Sequence, residues 1–483
     1  MDYLNCVVKY YHEKNDIAVI FDNMRLTYEE LFAEAELCAE ILKKNVPNQH
    51  LNIGLLLPNS IDYVKWFLGI LLSGNIVVPI FSKATDREVE NTIVACDLAA
   101  LISYKDLDLK DIIENRCVKS INIKTMQIKL YGEDSDIVES QAPLKVKMML
   151  STSGSMNDPK RVMLTYENLF TNAQAVIDGL HYNKNEIIGV ITPLCFSSGN
   201  TLLFTTLILG CTLVLYDGIL MPGKLYDFLY RNKISTTTFV PSLLKLMVDY
   251  DKFDSMNLPH LSTICFGGGP SSEDTIHKVL SKFNSCNVTH MYGQTEASPR
   301  ITHMPLKYMK WKNGSVGKTV PGVDLKIIDD NGNEIACNCD GEVCVKGKNI
   351  FLGYYKQDIL TSNAIRDGWL HTGDIGHLDS DGYLYITGRM KNVIIYCGMN
   401  IYPEEIEAII ADMEGVQDVI VYGEADDLTG ENVIADIVSN GIAITEQSII
   451  AYCAQKLPPY KIPRKYNFVD AIKRTNNGKI LRK

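Results

Sequence analysis

Residues 27 to 44 read TYEELFAEAELCAEILKK, in which Leu31, Ala35, Cys38, Ile41 and Leu42 recur at helical spacing. Thr27 precedes the run and Glu30 follows three residues later, so the pattern predicts an amphipathic helix opened by a capping box. Short apolar runs at 53–57 (IGLLL), 76–80 (IVVPI) and 99–102 (AALI) are separated by helix-length segments, as are runs at 187–191, 212–216 and 236–240. This alternation predicts parallel strands in α/β layers. Around 323–328 and 342–346 the strands crowd together, and Asp329-Asp330-Asn331-Gly332 and Asp340-Gly341 read as hairpin turns between them. The stretch 378–391, LDSDGYLYITGRMK, predicts one more hairpin ending in Gly388-Arg389. From 392 onward a strand (VIIY), a helix beginning near Pro403, further strands and a basic tail predict a small α+β domain of about 90 residues. The expected fold is α/β: a large N-terminal domain of stacked α/β sheets with a β-rich subdomain, then the small α+β C-terminal domain, with the boundary at 388–391.

Composition narrows the function classes. A chain of 483 residues exceeds what one hydrophobic core supports, and 46 % apolar residues exclude a disordered chain. The net charge of −11 argues against coating nucleic acid, which needs a basic field, and leaves small-molecule chemistry as the default. The 13 cysteines are scattered singly, and Cys337, Cys339 and Cys344 lack the paired spacing of a zinc site, so free thiols in a reducing compartment are expected. With no signal peptide, the expected location is the cytoplasm. The apolar runs Phe67 to Phe81 and Thr201 to Tyr216 fall short of the roughly 18 residues a membrane span requires, and read as buried helix plus strand. Charge is uneven: 456–483 holds nine basic residues against Asp470, giving +8, so the remainder carries −19. A lysine inside a Gly-Lys turn makes an anionic ligand for this tail worth weighing against simple solvation.

Several segments carry chemistry. Residues 151–160, STSGSMNDPK, follow an apolar run with small hydroxyl and glycine positions that can wrap phosphate oxygens, and Lys160 adds compensating charge. This is not a Walker loop, because Pro159 stands where the second glycine is required. In MYGQTE at 291–296 an aromatic ring can stack on a base, a threonine can bind a phosphate oxygen and a carboxylate can hold Mg²⁺. FGGGP at 266–270 lets backbone approach a flat ligand. HTGD at 371–374 offers Asp374 to both hydroxyls of a ribose, and Arg389 lies 15 residues on. RTNNGKILR at 474–482 places a lysine after glycine in an open turn, deliverable to a reacting phosphate or carboxylate.

Together, in this order, these segments resemble the adenylate-forming superfamily of acyl-CoA synthetases, aryl-CoA ligases, luciferases and peptide-synthetase adenylation domains. The resemblance runs from TYEEL at 27 to GKILR at 478 and includes the turns at 341–342 and 353–355, GRMK, and GMNIYPEEIE. It implies an enzyme that joins a carboxylate to the α-phosphate of ATP, releases pyrophosphate and passes the acyl group to a thiol, with Mg²⁺ as cofactor. Carried over by position, Thr152, Ser153, Gly154, Ser155 and Lys160 grip the β and γ phosphates. Thr295 holds the α-phosphate and Glu296 the metal. Tyr292 and Gly293 sit at the adenine, with Tyr292 stacking on it beside Gly267, Gly268 and Gly269. Asp374 binds the ribose with help from Arg389, and Lys479 bridges carboxylate and α-phosphate in the transition state. Phe196, Ser197 and Gly199 belong to the acyl pocket. The resemblance further implies an adenylation core over 1–388, a hinge at 389–391 carrying Lys391, and a mobile lid over 392–483. The lid rotates between the half-reactions and opens a thiol channel lined by Gly398.

Three departures stand out. Met156 and Asn157 replace a hydroxyl residue and glycine, which stiffens the phosphate loop, and Arg161 replaces a glycine, which is expected to add charge near the phosphates. Phe196 replaces a common histidine, so the pocket is expected to be more apolar. Ser197 stands where amino-acid-activating domains carry aspartate, which favours a fatty or aryl acid over an amino acid. The basic tail suits coenzyme A, the favoured acceptor, and equally an acyl or peptidyl carrier protein supplied in trans. The contrasting class is a nucleotide-binding module without turnover. No nucleic acid and no membrane span are expected.

Overall fold

A computed structural model of the chain describes all residues except 1–3, 5–6, 8–13, 47, 106–116, 132–136, 153–159, 251–256, 270, 272, 309–310, 397–398, 427–429, 475–479, 481 and 483. Among the sequence-derived candidates, Ser153, Gly154, Ser155, Met156, Asn157, Gly398 and Lys479 lie outside the described residues.

Three sheets organise the molecule. The largest has 14 strands. Its parallel half runs from Ile17–Phe21 through Thr212–Leu215, Ile187–Val190, Thr236–Phe239 and Thr263–Gly267 to Asn287–Gly293. It then continues antiparallel through Arg300–Pro305, Ser315–Thr319, Leu384–Arg389, Trp369–Leu378, Gly341–Gly347 and Val323–Ile328. An 8-stranded sheet holds Asn52–Leu56, Ile76–Pro79 and Leu98–Ser103 at its parallel centre, with Val146–Ser151 and Arg161–Thr165 towards one edge. The helices Tyr28–Asn45, Ile61–Leu72, Tyr166–Leu180 and Ser197–Leu209 fill the space between these sheets, and one hydrophobic core draws residues from all of them. Two of these helices meet at Gly69, where a Cβ would lie 2.5 Å from the Cβ of Cys38, so only glycine permits the approach.

The pattern of the sequence is realised closely. The first predicted helix spans Tyr28–Asn45, with both halves of the Thr27–Glu30 capping box formed. Each apolar run read as helix plus strand is one: Ile61–Leu72 then Ile76–Pro79, and Ser197–Leu209 then Thr212–Leu215. Asp329 accepts from the backbone of Asn331 and Asn333 and makes the predicted turn. Asp340-Gly341 makes no separate hairpin. Gly341 opens a strand paired with Gly376, and the Asp340 carboxylate accepts from Thr387 and bonds His377. No described helix is long and apolar enough to cross a membrane, and the described cysteines are free thiols.

The C-terminal domain has its own 5-stranded sheet, the helices Pro403–Ala411 and Glu446–Cys453, and a separate core around Ile394, Ile406, Ile410, Val421, Val433 and Ile449. Four of the nine basic residues in its tail are paired within the domain. Lys461, Lys465, Arg474 and Arg482 pair with Glu405, Glu424, Asp418 and Glu407 of the same domain, which removes much of the charge that the sequence offered to an anionic acceptor. The Arg482–Glu407 pair is bidentate at 2.7 Å on both arms, with Glu407 buried. It ties the end of the chain onto the helix Pro403–Ala411. Arg482→Ala strands a buried carboxylate and is expected to destabilise this domain by about 3–5 kcal/mol. Domain-resolved thermal melting checks this, and the apolar pair Arg482→Met with Glu407→Leu is expected to recover most of the loss; equal stability of Arg482→Ala and the parent would refute it.

Candidate active site

The candidate site is assembled from the two large sheets and the segment leading into the C-terminal domain. Its most buried ionisable group is Asp374, 2 % exposed. Strands Trp369–Leu378 and Leu384–Arg389 form a hairpin in which Asp374 stands opposite Arg389, so the spacing of 15 residues is the length of a cross-strand pair. Arg389 Nε lies 2.6 Å from Asp374 Oδ1, and the Tyr292 hydroxyl donates to Asp374 Oδ2 at 2.6 Å from the neighbouring parallel region. The Asp374 amide donates to Thr372 Oγ1, whose own hydroxyl donates to the Val343 carbonyl. Burial, then the adjacent carboxylate, pushes the Tyr292 phenol well above its ordinary pKa. Burial pulls Arg389 down, but the adjacent Asp374 carboxylate more than offsets it, so the guanidinium stays charged.

A second group hangs from the turn between Asn287–Gly293 and Arg300–Pro305. A Cβ at Gly293 would lie 1.8 Å from the Pro299 carbonyl oxygen, so the turn closes only on glycine. Asn172 and Asn349 each donate to the carbonyls of Ala297 and Arg300, fixing its far side. The turn presents Thr295, whose hydroxyl lies 3.4 Å from Ser197 Oγ, and Glu296. Tyr354, at the edge of the other sheet, donates to Glu296 Oε1 at 2.8 Å, and the Lys160 ammonium sits 4.7 Å over the Tyr354 ring. The Thr152 amide donates to the Lys160 carbonyl at 3.0 Å, joining the two ends of the segment 153–159.

These elements surround a cavity of 1780 Å³. Thr152, Lys160, Phe196, Ser197, Gly267, Gly268, Gly293, Thr295, Glu296, Arg389 and Lys391 line it. Gly199, Gly269, Tyr292 and Asp374 do not: the Tyr292–Asp374 pair stands behind the wall, and Gly199 packs where a Cβ would meet the Pro193 carbonyl at 2.5 Å. Phe196 faces Phe81 with ring centroids 5.5 Å apart. Arg161 departs from expectation. Strand alternation turns it away from Lys160, and its buried Nε lies 3.2 Å from Cys96 Sγ, so it adds no charge on the cavity side. Lys391 lowers its pKa through burial and then the nearby Arg389, Lys160 and Arg482. Ile395 and Tyr402 of the C-terminal domain also line the cavity.

Two groupings escaped the sequence reading. Tyr354 was visible only as part of a GYY turn. His371 Nδ1 lies 2.7 Å from Glu342 Oε2, and Glu342 Oε1 accepts from the Gly373 amide, so the GE and HTGD motifs brace one another across adjacent strands. Cys344 completes this cluster with ligand atoms within 4.8 Å, but burial pushes its thiol up to about 12 and Glu342 and His371 already satisfy each other. The group better suited to a hard cation is Glu296, a cavity-lining carboxylate with one oxygen held by Tyr354 and a lysine beside it to share phosphate charge.

Comparison with known proteins gives one consistent answer. The chain is 30 % identical over 487 residues to 4-coumarate-CoA ligase 1 of Narcissus pseudonarcissus, covering 96 % of this chain and 88 % of the relative. It is 28 % identical over 477 residues to a long-chain-fatty-acid–CoA ligase of Salmonella typhimurium, covering 89 % and 84 %. The structure of o-succinylbenzoate CoA synthetase from Bacillus subtilis in complex with its acyl-adenylate intermediate superposes with a TM-score of 0.87 at 25 % identity, covering 100 % of this chain and 97 % of that one. The same Bacillus subtilis enzyme matches equally in its complex with ATP and magnesium ion. The AMP-binding enzyme profile spans residues 9–355 and the profile of that family's C-terminal domain spans 405–479, and with both domains matched in order this chain belongs to the AMP-binding enzyme family.

Proposed function

We propose that this protein activates a carboxylic acid with ATP to an acyl-adenylate, releasing pyrophosphate, and then transfers the acyl group to the thiol of coenzyme A. The observation that carries the reading is the convergence on one cavity of Thr152 and Lys160 from one sheet, Thr295 and Glu296 from the other, and Arg389 backed by Asp374. Lys160 and Thr152, with Ser153, Gly154 and Ser155, take the β and γ phosphates. Thr295 donates to the α-phosphate, and Arg389, which lines the cavity and is held from behind by Asp374, takes the ribose. Gly267 and Gly268 line the part of the cavity that takes the adenine, and Tyr292 stands behind the wall with its hydroxyl committed to Asp374. Mg²⁺ at Glu296, when bound, neutralises phosphate charge and aligns the leaving group. Lys479 brings positive charge to the carboxylate and α-phosphate as they join.

The acceptor arrives from the lid side. Residues 389–391 form the hinge between a core over 1–388 and a lid over 392–483, and the lid alternates between presenting Lys479 and presenting the hairpin around Gly398. Lining of the cavity by Ile395 and Tyr402 supports the second arrangement. Coenzyme A is the acceptor in the names of the relatives, which act on fatty, coumaric and succinylbenzoic acids. An aryl or fatty acid is favoured over an amino acid because Ser197, a neutral hydroxyl, lies beside Thr295 where an ammonium group would need a carboxylate. The protein acts in the cytoplasm, where ATP and coenzyme A are available.

ATP–pyrophosphate exchange across a panel of carboxylic acids tests the first half-reaction. Lys479→Ala is expected to lower exchange by at least about 100-fold while ATP still raises the melting temperature, in line with loss of one preorganised charge. An unchanged rate refutes the role given to Lys479, and ATP binding without exchange for any acid points to a non-catalytic module. A crosslink that holds the lid in the adenylation pose is expected to leave exchange intact and abolish thioester formation; loss of both would count against domain alternation. Thioester formation with coenzyme A and not with carrier proteins is the expected outcome of the acceptor assay.

A further inference from the structure

Arg300 is the most exceptional charged residue outside the groups already assigned. It is 6 % exposed, it lines the cavity, and among the described residues its side chain has no ion pair and no hydrogen bond, with Nε left without a partner. An unpaired charge taken out of water is costly, so a guanidinium in such a place is a poor choice for packing alone. Burial pulls its pKa down, and the ionisable groups that oppose this are Cys265 and Tyr182. Burial raises the pKa of both, so each stays neutral and supplies no negative charge. His303, three residues along the same strand, also carries a buried Nε2 without a partner, and burial and the charge of Arg300 hold it neutral with a pKa of about 3. Two unpartnered polar groups therefore lie close together, and of the two only the guanidinium carries charge.

We propose that the acid activated by this protein carries a second anionic group, a carboxylate, which pairs with Arg300 in the acyl part of the cavity. The proposal rests on the adenylation reading above and narrows its substrate class. A guanidinium offers a fixed fork that matches a carboxylate bidentately, which a lysine would not. The backbone that carries the fork is held in place. Arg300 pairs with Gly293 at the foot of the turn that presents Thr295 and Glu296, and Asn172 and Asn349 bind its backbone carbonyl at 3.0 and 3.2 Å. The reacting carboxylate sits at that turn, so the second anionic group belongs to the same compact molecule. A methyl end in its place leaves the guanidinium buried and unpaired, so a monoacid of equal length binds the site less well.

The test is ATP–pyrophosphate exchange with length-matched pairs: succinate with butyrate, glutarate with valerate, and phthalate with benzoate. For the parent enzyme, kcat/KM is expected to be at least about 100-fold higher for the best diacid than for its matched monoacid. Arg300→Met is expected to lower the rate with that diacid by a similar factor and raise it with the monoacid, while Arg300→Lys keeps part of the preference. A rise in melting temperature with ATP establishes that each variant is folded, and the parent's own ratio needs no variant at all. Equal or better exchange with monoacids, or an unchanged ratio in Arg300→Met, overturns the proposal and leaves adenylation standing. Absence of exchange with every acid overturns both.

Discussion

The buried carboxylate of Asp374 is the constraint on which the candidate site depends. A carboxylate 2 % exposed is tolerated only if its charge and lone pairs are met, and Tyr292 and Arg389 meet them from opposite sides. Tyr292 ends the last parallel strand of the large sheet, while Asp374 and Arg389 face each other across the hairpin of the β-rich region. The triad thus joins the parallel and antiparallel parts of one sheet at a single point. Arg389 is also the last residue before the segment entering the C-terminal domain, so the same charge that satisfies Asp374 sets where the small domain is tethered.

The second requirement is that the two large sheets meet at the cavity. Tyr354 belongs to the sheet that carries Lys160, Glu296 belongs to the other, and their hydrogen bond spans the gap. The Phe351 amide donates to the Glu296 carbonyl, and Asn349 holds the same turn, so three contacts from one short segment fix the carboxylate. Such bracing from surrounding elements is what keeps a cavity-facing carboxylate in a defined geometry, which is a condition for electrostatic catalysis. Lys160, Arg389 and Lys391 line the same cavity, and burial first, then the charges of Arg389 and Lys160, pull the Lys391 pKa down.

Much of this protein could be read from its sequence because the signals are local. The capping box at Thr27 and Glu30, the alternation of helices and strands, and the Asp329 turn depend on residues within a few positions of one another, and each forms as read. The motifs carrying Thr152, Lys160, Thr295, Glu296 and Arg389 are local too, and the fold brings them to one cavity. What tertiary structure alone decided involves direction and partnership. Strand alternation sends Lys160 to the cavity and Arg161 to Cys96, a distinction that follows from which face each sheet buries. Ion pairs within the C-terminal domain engage Lys461, Lys465, Arg474 and Arg482 of the basic tail that composition presented as a patch. Arg300 drew no attention in the sequence, yet packing removes it from water and leaves it without a counter-charge among the described residues, because burial is a property of what folds around a residue and of nothing in its neighbours along the chain.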